Sequence, residues 1–300
     1  FTTVTGSNGV TSLVGTSGVD VATIVTLTSN VFVGGQGADD VINVNSATGN
    51  DTSIGYTVNG GAGNDNILMV DAVLNSTING DGGTGAAGND IINFGAAVLA
   101  NSAVSAGSGN DLVGTVAFVN LSNSTVNGNA GDDTLLIDSA NGSQIFGGQD
   151  VDVITVGFAI TDTVTTTAVN GNKGSDTVTF GANVQSTTGT TLYGGNGNDT
   201  ISAAAILINT NSVTLSGDLG DDGITGGAAD DTLLGGDGAD SLNGGGKGDS
   251  LTGGAGFDLF SELNGNSTIS GNTGFDVITD FSANTAVVLN GEQIDIGNTN

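Results

Sequence analysis

The sequence contains no cysteine, proline, histidine, tryptophan or arginine, and its only basic residues are Lys173 and Lys247. Against these two cations stand 31 acidic residues, which give a formal net charge of −29. Binding to nucleic acid or to an anionic membrane surface is excluded, because both need Lys and Arg. Disulfides and Cys-ligated metals are excluded as well, and a His–Ser or His–Cys nucleophile has no base. No apolar run approaches the roughly 20 residues of a membrane span.

Glycine is the most informative excess, because it supplies 54 of the 300 residues, far above its usual share of roughly 7%. Disorder is the first alternative for so polar and Gly-rich a chain. However, 37% of the residues are hydrophobic, and Val, Ile, Leu and Ala recur in short alternating runs. Disordered chains lack such runs, so we expect a folded β-protein. The chain begins at Phe1 without a signal-peptide pattern, which predicts a processed product or a fragment.

The chain is an array of repeats. The pattern Gly-Gly-x-Gly-x-Asp-x-apolar-x recurs in fourteen recognisable copies, such as Gly60–Asp65 and Gly194–Asp199. Their acidic residues are Asp39, Asp65, Asp90, Asp111, Asp133, Asp152, Asp176, Asp199, Asp222, Asp231, Asp240, Asp249, Asp258 and Asp276. Up to Asp222 the copies are 19 to 26 residues apart, and from Asp222 to Asp258 they are nine apart. A fixed repeat of this kind is typical of solenoids.

The apolar residues of each repeat alternate with polar ones on both sides of the Gly–Asp turn. Val58 precedes one turn, and Ile67 and Met69 follow it at the second and fourth positions after Asp65. Alternation with a period of two predicts strands that bury one face. Between the strands lie polar corners such as Asn101-Ser102, where Asn tolerates a left-handed conformation. A unit of this size cannot bury its apolar face alone, so we predict an all-β, right-handed parallel β-solenoid (a β-roll or β-helix) without significant helix.

The spacing divides this predicted solenoid into four regions. Residues 1–33 are expected to form a terminal or preceding degenerate coil, and residues 34–222 a long-coil solenoid with about 23 residues per coil. The nonapeptide region at 223–261 is expected to form a tighter β-roll, and residues 262–300 a closing coil or C-terminal region. In the nonapeptides, alternate Asp residues should stack on opposite edges. In the long coils, Asp65 through Asp199 should form one row on a single edge.

The predicted row of Asp residues needs a cation. Two carboxylates about 5 Å apart on adjacent coils repel by roughly 3 kcal/mol at an effective dielectric constant near 20. Two lysines cannot neutralise so many acids. Carboxylates and the carbonyls of a Gly-rich turn suit Ca²⁺, whereas Mg²⁺ demands a stricter octahedral geometry. Softer metals would need the absent His and Cys. We therefore predict that the fourteen Asp residues bind calcium, on the order of ten ions in all.

The nonapeptides between Gly226 and Thr252 resemble the haemolysin-type calcium-binding repeats of the RTX (repeats-in-toxin) family. The segment Gly274-Phe275-Asp276-Val277-Ile278-Thr279-Asp280-Phe281 is similar to the stretch that commonly follows such repeats. The resemblance implies a β-roll that binds Ca²⁺ between consecutive turns. Its nonapeptide ligands would be Asp222, Asp231, Asp240, Asp249 and Asp258. It also implies export by type I secretion, as an unfolded chain that carries a C-terminal signal.

The leading functional hypothesis is a non-enzymatic, calcium-dependent structural protein of the bacterial cell surface. The repeats fill nearly the whole chain and no separate catalytic domain is visible. RTX-bearing surface-layer proteins have this general appearance. Such a chain would be secreted, fold on Ca²⁺ outside the cell, and assemble with copies of itself into a surface layer, sheath or fibril. Cell-surface polysaccharide is a further candidate partner.

Three alternatives remain open at this point. The chain could be the RTX repeat region of a larger secreted enzyme, toxin or adhesin. It could be a sugar-acting enzyme built on the solenoid, although it has no His or Arg and its paired Asp residues fit the turn pattern. It could bind ice, which would need a regular Thr array on a flat face, whereas Thr165-Thr166-Thr167 is a local feature.

Overall fold

The computed structural model describes residues 2–5, 11–24, 31–44, 55–70, 72–82, 87–95, 98–114, 120–157, 163–181, 189–206, 212–261, 268–278, 286–288 and 293–296. The chain forms two compact units, Phe1–Gln149 and Asp150–Asn300. Within the described residues every regular element is a β-strand, and no helix is long and apolar enough to cross a membrane.

The first unit contains three sets of strands. Sheet A, which leads into the Gly–Asp turns, contains Thr2–Thr5, Thr11–Val14, Val31–Gly34, Tyr56–Gly61, Thr77–Asp81, Ala103–Ser108, Thr125–Ala130 and Gln144–Gln149. Sheet B follows the turns and contains Val21–Ile24, Val41–Val44, Asn66–Met69, Ile91–Phe94, Leu112–Val113 and Thr134–Ile137. Sheet C contains Val73–Leu74, Val98–Ala100, Asn120–Ser122 and Ser139–Asn141. Each long coil therefore passes through two or three short strands before the next coil begins.

The second unit repeats the arrangement with fewer third strands. Its sheet A contains Ala168–Lys173, Thr191–Asn196, Thr214–Leu219, Thr232–Asp237, Ser250–Gly256, Thr268–Ile278 and Ala286–Val288. Its sheet B contains Val153–Val156, Thr177–Phe180, Thr200–Ser202, Gly223–Thr225, Ser241–Asn243, Leu259–Ser261 and Gln293–Ile296, and a short strand spans Val164–Thr165. The long strand Thr268–Ile278 pairs with sheet A through its first half and with sheet B through its last residues.

The coils stack in parallel register, so that equivalent apolar residues form continuous columns in each core. In the first unit Val104 pairs with Val126, and Val126 with Ile145. In the second unit Leu192 pairs with Leu215, and Leu215 with Leu233. All are at least 98% buried, and each contributes about 1.5–3 kcal/mol by leaving water. The predicted all-β parallel solenoid and its strand alternation are confirmed.

Within the described residues, the first two strands depart from the parallel rule. Thr2–Thr5 pairs antiparallel with Thr11–Val14, with Thr5 opposite Thr11. Only five residues separate these strands, and so short a connection permits a hairpin but not the crossover that a parallel pair requires. The following strand pair is regular, because Val21–Ile24 aligns with Val41–Val44. Residues 11–24 therefore belong to the regular array, although their sequence repeats the pattern less cleanly.

Candidate metal-binding edge

The Gly–Asp turns lie where sheet A gives way to sheet B, and two backbone positions explain their glycines. We number each turn back from its buried Asp, which is position 0. In the turn that ends at Asp65, Gly61 at position −4 and Gly63 at position −2 have φ values of 128° and 114°. Residues other than Gly rarely adopt this left-handed backbone conformation. Asn and Asp tolerate it best, and Asn129 occupies position −4 of another turn with a φ of 84°.

The Asp residues at position 0 form a hydrogen-bonded row in each unit. The backbone N–H of Asp65 donates to Oδ1 of Asp90 at 2.7 Å, and that of Asp199 donates to Oδ1 of Asp222 at 2.8 Å. The same bond, 2.7–3.0 Å long, joins Asp20 to Asp40, Asp40 to Asp65, Asp90 to Asp111, Asp111 to Asp133, Asp152 to Asp176, Asp176 to Asp199, Asp222 to Asp240 and Asp240 to Asp258. One carboxylate oxygen of each residue is therefore committed to holding the preceding coil.

In eight residues of these rows the other carboxylate oxygen has no such partner, whereas Asp20 Oδ2 accepts hydrogen bonds from the N–H and hydroxyl of Thr16. Among the residues that the structure describes, Oδ2 is buried and accepts no hydrogen bond in Asp40, Asp65, Asp90, Asp111, Asp176, Asp199, Asp222 and Asp240. An unsatisfied buried polar atom of this kind costs about 1–3 kcal/mol, and more when it is charged. A row of them indicates that the turn is incomplete without a proton or a cation.

The unpartnered oxygen lies against the Gly at position −5. A Cβ on Gly60 would be closer than 3.0 Å to both Asp65 Oδ2 and the carbonyl oxygen of Gly80 in the next coil. A Cβ on Gly235 would meet Asp240 Oδ2 and the Gly253 carbonyl in the same way. At these two turns Gly leaves room for a carboxylate oxygen and a carbonyl oxygen to converge, whereas the turn that ends at Asp111 has the buried Ala106 at this position. Both oxygens are hydrogen-bond acceptors, so neither can satisfy the other.

Burial shifts the titration of these carboxyls. Loss of solvation raises the pKa of Asp65 and Asp199 to about 6, and that of Asp90 and Asp222 to about 7, and like charges nearby add to the rise. The hydrogen bond from the neighbouring backbone opposes this effect in every case. The charged form of the row is therefore unfavourable without a compensating positive charge.

The available ligands fit a hard cation that binds oxygen. In the described part of the chain, no three Asp, Glu, His or Cys side chains lie close enough to hold a metal by themselves. A cation at this edge would therefore need backbone carbonyls beside one or two carboxylates. Ca²⁺ accepts six to eight such oxygens in flexible geometry, whereas Zn²⁺ and other softer metals prefer His and Cys. The carboxylates of the row and the Gly carbonyls beside them would hold it.

The structure buries most of the Asp residues predicted from the sequence, in these rows or, for Asp231 and Asp249, on the opposite edge. Twelve of them are at least 97% buried, namely Asp65, Asp90, Asp111, Asp133, Asp152, Asp176, Asp199, Asp222, Asp231, Asp240, Asp249 and Asp258. The backbone of Asp276 lies in the strand Thr268–Ile278, and its side chain is outside the described residues.

The turn in the second coil is displaced by one residue from its predicted alignment. Asp39 is exposed, and its Oδ1 accepts a hydrogen bond from the N–H of Asn64 at 2.8 Å. Asp40 occupies the buried position instead, because Gly35 and not Gly34 aligns with Gly60. Asp20 holds the same position one coil earlier, and the sequence analysis missed it. The apolar residues two and four places after Asp40 were the available signal.

The opposite edge of the first unit carries hydroxyl groups in place of carboxylates. The backbone N–H of Ser76 donates to the hydroxyl of Ser102 at 3.0 Å, and that of Ser102 donates to Ser124 at 3.1 Å. In the second unit Thr167 and Thr190 continue the hydroxyls. The nonapeptides that follow carry acids at this edge, since the N–H of Asp231 donates to Oδ1 of Asp249 at 2.8 Å. The nonapeptides therefore place Asp on both edges, and the long coils of the first unit place it on one.

Comparison with known proteins gives little beyond architecture. No protein-family model matches the sequence, and no curated protein sequence matches it. One solved structure with a similar fold is a hyperactive, Ca²⁺-dependent, β-helical antifreeze protein from an Antarctic bacterium. The two chains are 18% identical, with a TM-score of 0.49, and the match covers 88% of this chain and 85% of the other. At this level the match carries no argument about function.

Proposed function

We propose that this chain is a calcium-binding, secreted structural protein with no catalytic role. The observation that carries the proposal is a set of eight buried Asp carboxylates in these rows, between Asp40 and Asp240, whose Oδ2 atoms accept no hydrogen bond from the described residues. Two lysines in the whole chain cannot neutralise them. A calcium ion supplies two positive charges and binds the two kinds of oxygen that converge at these turns, carboxylate and carbonyl.

Calcium binding of this kind is coupled to folding. The carboxylates of successive coils come together only in the stacked structure, so the binding free energy becomes folding free energy. Neighbouring charges about 5 Å apart repel by roughly 3 kcal/mol, and a domain is stable by only about 5–15 kcal/mol. Without the ion, a few such pairs are enough to unfold the stack.

The dependence on calcium supports a location outside the cell. Extracellular calcium modules bind with dissociation constants of about 10⁻⁴–10⁻³ M, which cytosolic calcium does not reach. We therefore propose that the chain stays unfolded until it is secreted and folds at the bacterial cell surface. The resemblance of the nonapeptides to RTX repeats supports export by type I secretion.

Self-assembly is the finer part of the proposal. The coils of a solenoid end in strands with unpaired backbone groups, and such edges pair with other chains unless they are covered. Copies of the same chain supply a matching edge, which favours a surface layer, sheath or fibril. We propose cell-surface polysaccharide as the attachment partner, since a net charge of −29 repels anionic membrane surfaces and nucleic acid.

Circular dichroism in calcium and in excess EGTA tests the calcium dependence. We expect a β-sheet signal in millimolar calcium that is lost in EGTA and restored by calcium, with little restoration by Mg²⁺. An unchanged β-sheet signal in excess EGTA would overturn the proposal. Electron microscopy and light scattering of the same samples test assembly. Ordered sheets or filaments that form in calcium and not in EGTA support the structural role. A monomer at all calcium concentrations contradicts it.

A further inference from the structure

The residue at position −4 adopts one of two backbone conformations in the six-residue turns. It is left-handed in the turns that end at Asp65, Asp111, Asp133, Asp152, Asp176, Asp199, Asp222, Asp240, Asp249 and Asp258. It lies outside the left-handed region at Thr16, Gln36 and Gly227, which hold position −4 in the turns that end at Asp20, Asp40 and Asp231. The two conformations differ in how they orient the peptide unit between positions −5 and −4.

A left-handed residue at position −4 directs its N–H away from the buried carboxylate. The N–H of Asn129 donates to Oδ1 of Asn127 at 3.1 Å, and that of Asn172 donates to Oδ1 of Asn170 at 2.8 Å. Both acceptors lie at position −6, between buried neighbours, so they face outward from the core. With the N–H of Asn172 directed outward, Asp176 Oδ2 accepts no hydrogen bond from the described residues.

The same orientation directs the carbonyl of position −5 inward. In a planar trans peptide the C=O of one residue and the N–H of the next point in opposite directions. Gly236 is left-handed with a φ of 121°, and the carbonyl of Gly235 approaches the preceding coil. A Cβ on Gly217 would be closer than 3.0 Å to this carbonyl oxygen and to Asp222 Oδ2. The buried carboxylate of such a turn therefore faces a second oxygen instead of a donor.

The turn that ends at Asp231 has the opposite arrangement. The N–H of Gly227 donates to Asp231 Oδ2 at 2.7 Å, and the N–H of Val213 donates to Oδ1 at 2.9 Å. The N–H of Gly227 thus takes the place beside Oδ2, and as a donor it opposes a cation there. The next coil still presents its carbonyl, because a Cβ on Gly226 would be closer than 3.0 Å to both Asp231 Oδ2 and the Gly244 carbonyl oxygen. Reversal of one peptide unit would therefore complete the arrangement of the other turns.

The turn that ends at Asp20 is closed in the same way, by a residue that does not reverse readily. The N–H and the hydroxyl of Thr16 donate to Asp20 Oδ2 at 2.5 Å and 3.0 Å. The β-branched side chain of Thr makes the left-handed conformation unfavourable. The nearest atoms of the next coil to a Cβ on Gly15 are Gly35 Cα and the Gly34 carbonyl oxygen, at 3.1 Å and 3.2 Å. No carbonyl of position −5 converges on this carboxylate.

The turn that ends at Asp40 lies between these cases. Gln36 is outside the left-handed region, and its N–H lowers the pKa of Asp40 without forming a hydrogen bond of normal geometry to Oδ2. A Cβ on Gly35 would collide with Asp40 Oδ2 and with the Gly60 carbonyl of the next coil. This turn keeps both oxygens that a cation needs, so the decisive contact is the hydrogen bond from position −4 to Oδ2.

We infer that the N–H of position −4 competes with calcium for the buried carboxylate, so that a turn binds the ion only where this N–H is directed elsewhere. The inference rests on the proposed calcium-binding function. The turn of Asp20 takes no ion, because Thr16 keeps its donors on the carboxylate. The turn of Asp231 is a conditional site, because Gly227 adopts the left-handed conformation readily and calcium replaces its N–H when the peptide reverses. This ion must break a hydrogen bond to enter, so it binds more weakly than the others.

Variants of the full-length chain test the two assignments by the number of calcium ions bound. Calcium is titrated by calorimetry and in competition with a chelator, and circular dichroism checks that each variant keeps its β-sheet signal in calcium. Asp231→Asn should remove one ion, the weakest, whereas Asp20→Asn should remove none. Loss of an ion in Asp20→Asn, or an unchanged count in Asp231→Asn, overturns the inference.

Two substitutions of Gly227 test the peptide reversal and remain informative if Asp231→Asn fails to fold. Ala and Asn both add a Cβ, which lies 3.2 Å from the carbonyl oxygens of Ala203 and Ile206, so both meet the same crowding. Asn tolerates the left-handed conformation, as Asn129 does, whereas it is unfavourable for Ala. We expect Gly227→Ala to weaken the last binding step about tenfold, and Gly227→Asn to weaken it by less than about threefold. Equal weakening by the two substitutions contradicts the inference.

The outcomes separate this inference from the proposed function. If wild type binds no calcium in these titrations, the proposed function fails. If wild type binds calcium but the two substitutions of Gly227 act alike, only the role of the N–H at position −4 is wrong.

Discussion

Gly235 lies at position −5 of the turn that ends at Asp240, and replacing it with Ala tests the close packing of that turn. A Cβ at residue 235 would be closer than 3.0 Å to Asp240 Oδ2 and to the Gly253 carbonyl. The φ of Gly235 lies outside the left-handed region, so backbone strain does not contribute. The methyl must displace the carboxylate, which also accepts the N–H of Asp222 through Oδ1 at 2.9 Å.

The cost of this substitution has two parts. Overpacking a closely packed site costs about 1–3 kcal/mol. Loss of a hydrogen bond to a charged group costs about 1.5–3 kcal/mol. We therefore expect Gly235→Ala to lower the free energy of unfolding by about 3–5 kcal/mol in calcium, and to weaken calcium binding at this turn.

Gly223→Ala is the matched control, since Gly223 lies in the neighbouring strand of sheet B. A Cβ there would be 3.8 Å from the Asp199 carbonyl, with no other neighbour and no left-handed φ. A Gly→Ala change at such a position stabilises by about 0.4–1 kcal/mol through the unfolded state. Urea unfolding in calcium, followed by circular dichroism, compares the two variants. If both shift the midpoint alike, the contact between Gly235 and Asp240 has no energetic role and our account of the turn is wrong.

Three further predictions follow from the same geometry. In EGTA the fold should become more stable as the pH falls from about 7 towards 4. The pKa of Asp90 is about 7 in the fold against 3.8 without burial, so the folded chain binds more protons than the unfolded chain in this window. A β-sheet signal that falls on acidification contradicts this prediction. Ser102→Ala leaves the buried N–H of Ser76 without its acceptor and should cost about 1–3 kcal/mol in urea unfolding, with no effect on calcium affinity measured by calorimetry. Asp40→Asn should abolish calcium binding at the second coil in the same calorimetric assay, whereas Asp39→Asn should not. If Asp39→Asn abolishes binding and Asp40→Asn does not, Asp39 is the ligand, as the sequence alignment of the turns predicted.

The apolar positions could be predicted from the sequence because strand alternation depends only on local order. Val58, Ile67 and Met69 are all at least 99% buried, as the period of two requires. Phe94 lies in the core in the same way. The strand Gln144–Gln149 buries Ile145 and places the next residue, Phe146, on the outward face, as the alternating burial along this strand shows. Residue type alone would favour the core for Phe146, and the strand alternation places it outside.

The metal-binding edge was harder to predict, because it depends on how coils align. Two adjacent acids, Asp39 and Asp40, fit the turn pattern about equally well, and only the pairing of Gly35 with the coil of Gly60 distinguishes them. The role of Ser102 as the counterpart of a buried Asp is likewise a property of stacking, since its hydroxyl accepts a hydrogen bond from a residue 26 positions away in the chain. The local sequence predicts where a turn occurs, whereas the register between coils determines which side-chain and backbone atoms come into contact.

The hydrogen bonds of the Asp row all run in one direction along the chain. The N–H of each Asp donates to the carboxylate of the Asp in the next coil, as from Asp176 to Asp199, and the reverse bond does not occur in the described residues. Each row is therefore directional, as its strands are. An inverted coil would set N–H against N–H on one side and carboxylate against carboxylate on the other. The hydrogen bonds of the row thus admit a further coil in one orientation only, which makes them a second determinant of parallel stacking beside the strands.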